Sequence, residues 1–228
     1  MVARVHVYLE IGSRRAIAGA IDWPGWCRGG RGEDAALQIL SAYGPRYLAA
    51  LGPLADGLEI PADPAVFEVV ERLPGNATTD FGAPGAVPAA DERPMDVGET
   101  ERHVQILRSC WAAFDAAVAA AAGKPLVKGP RGGGRELEAI VSHVFEAQRS
   151  YFAALWGPFR SERGADPPGE RERLRDAIQQ AVRARARGEP RPGRRAGKGW
   201  TPRYFVRRSA WHVLDHAWEI EDRAGEAP

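Results

Sequence analysis

Residues 211–223 read WHVLDHAWEIEDR. The run has neither Gly nor Pro, and His212 and His216 stand four positions apart within it. On a helix, positions i and i+4 share a face, one turn apart. Trp211, Val213, Leu214, Ala217 and Trp218 surround the pair and leave almost no polar side. The sequence therefore predicts a buried helix that carries two imidazoles on one face. Each buried polar group left unpaired costs about 1–3 kcal/mol. The two rings must find partners, either carboxylates or a metal ion.

Working outward, the helix is expected over 201–223, with Thr201 as N-cap and Pro202 at the first helical position. Three more helical runs precede it: ETERHVQILRSCWAAFDAAVAAAA at 99–122, RELEAIVSHVFEAQRSYFAALWG at 135–157 and the highly charged ERERLRDAIQQAVRARARG at 170–188. The first places apolar residues at 104, 107, 111, 114 and 118, and the second at Leu137, Ile140, Val144, Tyr151 and Leu155. Gly- and Pro-rich breaks separate the runs. Four such helices with modest connections predict a four-helix bundle over 99–228.

The N-terminal part has another period. RVHVYLEI (4–11) alternates Val5, Val7 and Leu9 with polar residues, and RAIAGAID (15–22) follows the turn GSRR, which predicts a β-hairpin. WPGWCRGG (23–30) reads as turn. GEDAALQILSAYGPRYLAAL (32–51) reads as a helix that Pro45 kinks or splits, and PAVFEVVERLP (64–74) as a further strand. The fold class is thus α+β: a small unit at 1–78, a Pro/Gly-rich linker at 79–98 and the helical bundle.

Composition bounds the classes. The 228 residues are 44% hydrophobic and 27% charged, the profile of a globular chain. No run of roughly 18 apolar residues predicts a membrane span. The N-terminus lacks an apolar core followed by a small-residue cleavage site and reads as mature sequence. Two cysteines, Cys27 and Cys110, are too few for a disulfide framework and fit a reducing cytoplasm. Residues 1–98 carry 8 Arg and no Lys against 13 acids, whereas 99–228 carry 23 Lys and Arg against 17 acids, so the two parts have opposite net charge.

The chain has five histidines. His143 lies midway along the second helical run, beside Ile140, Val144 and Ala147, on an inward face. Bundles build metal sites from side chains on facing helices. His143, His212 and His216 together make a three-nitrogen site with an open position. The competing reading is a set of uncharged core histidines hydrogen-bonded to Glu146, Asp215 and Glu219. If a metal binds, the same carboxylates would orient the rings from behind.

The stretches SHVFEAQRSYF and WHVLDHAWEIEDR resemble the DinB-like superfamily of bacterial four-helix bundles over about residues 99–223. The resemblance implies that His143, His212 and His216 hold a divalent ion, commonly zinc or nickel, with positions left for water or substrate. It also implies a homodimer and, in some members, thiol-dependent S-transfer or isomerisation using mycothiol, bacillithiol or glutathione. The last helix of the family often continues with another His and a Gly. Here AWEIEDR follows, a departure that touches the chemistry rather than the ligands.

VYLEIGSRRAIAGAIDWPGWCRGGRGEDAALQILSAYGPRY is similar to the HicB-type antitoxin domain, through Pro24, Gly25, Cys27 and the helix start Glu33–Ala36. The likeness transfers no toxin-inhibiting or DNA-binding residue.

Other features have plainer readings. Arg183–Lys198 holds seven basic residues and one acid, Glu189. It reads as a solvated helix end and loop, with no aromatic before Trp200 to stack bases, so nucleic acid is not an expected partner. GPRGGGR (129–135) lacks the Gly-Lys-Ser/Thr of a phosphate loop and reads as a linker. Cys110 reads as structural, and Cys27 as the more exposed of the two thiols. Arg208, one turn before His212, is placed either to pair with an Asp or Glu or to hold an anionic group of a small-molecule substrate, and Tyr151 and Trp211 read either as plain core or as the lining of its pocket. No catalytic acid or base is singled out. Two function classes follow: a metal-dependent transferase using a low-molecular-weight thiol, or a binding protein with a structural metal or none, which contacts protein or nucleic acid through the N-terminal unit and the basic loop.

Overall fold

The alternating N-terminal run forms strand β1, His6–Ile11, and the GSRR turn returns it as β2, Ala16–Ala20. In this computed structural model the chain is described over residues 5–61, 63–128, 134–164, 166–192 and 199–225, the side chain of residue 65 excepted. Most of the GPRGGGR loop and the end of the basic stretch lie outside the described residues.

β1 and β2 pair antiparallel with Tyr8 opposite Gly19. The Tyr8 ring occupies the space that a Cβ at Gly19 would fill. The stretch read as turn also supplies a strand, β3, Cys27–Gly30, antiparallel to β2. Helices α1, Glu33–Ala42, and α2, Gly44–Leu51, are separate, as the proline of GPRY predicts. β4, Glu68–Pro74, then pairs parallel to β1, giving the order β3-β2-β1-β4.

Trp26 anchors this layer. Its indole N–H donates to the Leu40 carbonyl at 2.8 Å, and its ring stacks on Tyr47 at 5.8 Å. The Tyr47 hydroxyl donates to the Pro24 carbonyl at 2.9 Å. Cys27, expected to be exposed, is buried at 1% exposure, because its side chain packs with Ile17, Ala83 and Trp211 beside the Tyr8 hydroxyl.

The Pro/Gly-rich stretch read as a linker carries most of a short helix, α3, Ala77–Phe81, and a 3-10 turn at Ala89–Glu92. It lies over the sheet. The Thr79 hydroxyl and the backbone N–H groups of Gly85 and Ala86 donate to the buried Glu10 carboxylate.

The four long helices follow as α4, Val97–Ala121, α5, Leu137–Leu155, α6, Pro167–Ala186, and α7, Pro202–Gly225. Asp96 caps α4 through the Glu99 N–H at 2.8 Å, and Asp166 caps α6 through the Gly169 N–H at 3.1 Å. Thr201 Oγ1 accepts the Tyr204 N–H at 3.2 Å, as expected for the N-cap of α7. The fold is α+β, with a helical C-terminal part. No described helix is long and apolar enough to cross a membrane.

The burial of α7 on nearly every side has a structural cause. One flank packs on α4 and α5, and the other faces the N-terminal layer. Gly25, at φ +98°, lets the WPGW turn approach Ala210 and Leu214. A single apolar cluster runs from Val7, Leu9 and Leu40 to Val104, Ile140, Phe205 and Leu214. Within this boundary Arg207 is 5% exposed. It grips Asp91 with two bonds of 2.7 Å and donates to the carbonyls of Ala20 at 2.6 Å and Ile21 at 2.9 Å. Burial works against its charge, but the Asp91 carboxylate outweighs that effect and holds its pKa above the ordinary value.

Candidate metal centre

The i and i+4 spacing puts His212 and His216 on one face of α7, with ring centroids 4.7 Å apart. Helix α5 crosses that face and brings His143 between them, 5.1 Å from His212 and 4.9 Å from His216. The rings meet tilted or edge to face rather than stacked. One nitrogen of each lies within 4.8 Å of the corresponding nitrogens of the other two, and among the described residues no Cys, Asp or Glu joins the three in this group. His212 and His216 are buried at 7% and 9% exposure, and His143 is half-buried.

The hydrogen bonds separate the rings. His216 Nδ1 lies 2.7 Å from Glu219 Oε2 and donates to it, which turns the other ring nitrogen, Nε2, away from that carboxylate. Glu219 also accepts from Arg223 at 3.0 Å. These bonds, led by the one from His216, hold its carboxyl below the usual carboxylate range. Among the described residues, His212 Nδ1 is buried with no hydrogen-bond partner.

Desolvation first, and then the neighbouring His216 and His143 rings, lower the pKa of His212 to about 2. Desolvation first, and then His216 and Arg135, also lower that of His143. Both imidazoles are therefore neutral near pH 7, the form that ligates a cation. An orphaned buried nitrogen, two neutral rings and a third ring oriented by a carboxylate make a donor set suited to a borderline divalent ion.

The remaining sequence-predicted residues fall in distinct places. Asp215 accepts Arg28 at 2.5 Å, and Arg28 is itself stacked on Tyr43 and Trp218. Glu146 pairs with Arg149 at 3.0 Å on the exposed side of α5. Glu219 is thus the carboxylate that reaches a histidine of the cluster. Tyr151 borders His212, with centroids 5.7 Å apart, and Arg208 lies over both Tyr151 and Trp211. His6 and His103 stand elsewhere: His6 beside Asp22 and Glu68, His103 bonded to the Glu99 carbonyl at 2.8 Å. Burial pushes the Cys27 thiol up to about 12 and the Cys110 thiol higher still, so neither is an activated nucleophile.

Sequence reasoning overlooked Trp200 and Tyr204. Trp200 packs on Tyr151 at 5.1 Å and on Tyr204 at 4.9 Å, which extends the aromatic wall beside the cluster. Tyr204 was legible, because 204, 208, 212 and 216 recur at intervals of four. Trp200 precedes the helix and follows no period.

Compared with models of known protein families, with curated proteins and with solved structures, the chain matches none.

Proposed function

We propose that the protein binds one divalent metal ion, zinc or nickel, on His143, His212 and His216 and uses it in thiol-dependent S-transfer or isomerisation of a small molecule. The observation that carries this reading is the convergence of three imidazoles from two helices, with one nitrogen of each within 4.8 Å of the others. A bound ion would supply Lewis acidity, lowering the pKa of a thiol or water and stabilising negative charge.

The chain's own residues have defined tasks. Glu219 accepts the hydrogen bond from His216 Nδ1–H and orients the ring. Three protein donors leave a coordination position for a ligand, the arrangement of a reactive rather than a structural site. Tyr151 and Trp211 shield the site from bulk water. The same reaction class is implied by the resemblance to the DinB-like superfamily, which also suggests a homodimer. Two buried free thiols accord with a reducing cytoplasm.

The test is metal content by mass spectrometry on untagged protein, wild type beside His212→Ala. The expected result is near-stoichiometric metal that the substitution abolishes, followed by a screen of low-molecular-weight thiols. Absence of metal from the wild type, even after incubation with zinc and nickel, would overturn the reading and leave a histidine-containing core in a binding protein.

A further inference from the structure

Arg208 stands one turn from His212 on α7, about 6 Å along the axis by helix rise. Among the described residues no hydrogen bond or ion pair engages its side chain, and Nη1 is buried with no partner. Its neighbours on the same helix are all tied: Arg203 to Glu99, Arg207 to Asp91 and Arg223 to Glu219. The Arg208 guanidinium instead lies 4.6 Å from the centroid of Trp211 and 5.6 Å from that of Tyr151. A buried guanidinium N–H without an acceptor is costly, and the nearby acids do not supply one. Glu219 is engaged by His216 and Arg223, Asp215 by Arg28 and Glu146 by Arg149. A divalent ion on the histidines adds further positive charge beside Arg208. The missing anion must come with the ligand.

We infer that Arg208 is the specificity-determining residue of the centre: it binds the carboxylate of a short mercapto-carboxylic acid whose sulfur is directed at the three histidines. The inference rests on the metal reading above. A guanidinium offers two parallel donors that match a carboxylate, which an ammonium does not. Trp211 and Tyr151 border the guanidinium, and the less watery surroundings they provide strengthen the pairing. One helical turn between Arg208 and His212 suits two or three carbons between carboxylate and sulfur.

The experiment uses the full chain loaded with zinc. Calorimetry compares 3-mercaptopropionate with 2-mercaptoethanol, which lacks the carboxylate. Wild type is expected to bind the acid at least about tenfold more tightly, the range of a charge-assisted hydrogen bond. Arg208→Gln is expected to erase that preference while keeping its zinc and its affinity for 2-mercaptoethanol. Equal affinities in wild type, a preference that survives Arg208→Gln, or loss of zinc in that variant overturns the assignment. Should Arg208→Gln fail to fold, Arg208→Lys is expected to lose most of the preference, and full retention overturns the assignment. If wild type takes up no zinc, the metal reading fails by itself. Arg208 is then judged by propionate alone: a shift of the Trp211 indole N–H resonance in wild type, absent in the variant, supports it, and no shift overturns it.

Discussion

The rings of His143 and His216, carried by different helices, meet edge to face with centroids 4.9 Å apart. Glu219 holds the far side of His216 at 2.7 Å from Nδ1. Glu219→Gln removes the charged acceptor while keeping the shape. Zinc affinity is expected to fall about ten- to hundredfold, the usual effect of losing such a partner. Competition with a chromophoric chelator measures it. Unchanged affinity would detach Glu219 from the centre.

Arg207 and Asp91 form a fully buried pair between α7 and the sheet layer. Asp91→Ala strands a guanidinium in the interior and is expected to cost about 3–5 kcal/mol. The double change Arg207→Leu with Asp91→Leu removes both charges and is expected to recover much of that loss. Denaturant unfolding of the three proteins decides it. A double variant as unstable as Asp91→Ala would show that the bonds from Arg207 to the Ala20 and Ile21 carbonyls matter more than the pair.

Gly25 sits at φ +98°, and a Cβ there would lie 3.0 Å from Ala210 Cβ. Gly25→Ala therefore combines a left-handed backbone with a tight contact against α7. A loss of at least about 1–2 kcal/mol is expected from the backbone alone. Gly32, also at positive φ but with open space around it, should show the backbone cost without the contact. Equal losses at the two positions would mean that α7 yields freely to the turn.

Burial, followed by the charges of Arg203 and Arg102, lowers the His103 pKa to about 4, against a weaker opposing effect of the Glu99 carbonyl. The unfolded chain takes up this proton near pH 6.5, and the folded chain resists it until about pH 4. The stability gained from a neutral His103 is therefore present at high pH. It declines as pH falls through 6.5 and is gone near 4, for about 3 kcal/mol at most. His103→Gln should flatten the decline in metal-free protein over that window, seen in denaturant midpoints against pH. Parallel curves for wild type and variant would assign the pH dependence to other groups.

Much of the helical architecture was legible because its causes are local. Thr201 and Pro202 announce the start of α7, and Pro45 separates α1 from α2. The stripe at 104, 107, 111 and 114 marks the buried face of α4. β3 was not legible. Its four residues, CRGG, have no alternating pattern, and they pair with β2 because Gly30 admits the backbone of α1 at close range. Cys27 misled because its burial comes from Tyr8, Ile17, Ala83 and Trp211, on other elements, rather than from its neighbours in sequence.

The sequence by itself determined that two imidazoles share a face of a helix with almost no polar side, because a period of 3.6 residues brings His212 and His216 together in any such helix. Only the tertiary structure decided which distant groups meet that face. It brought His143 to the pair, turned Asp215 to Arg28 and Glu146 to Arg149, left Glu219 for His216 and left Arg208 without an acid among the described residues. These pairings depend on how α5 and the sheet layer pack against α7, and that follows from shape and burial summed over the whole core rather than from any one segment.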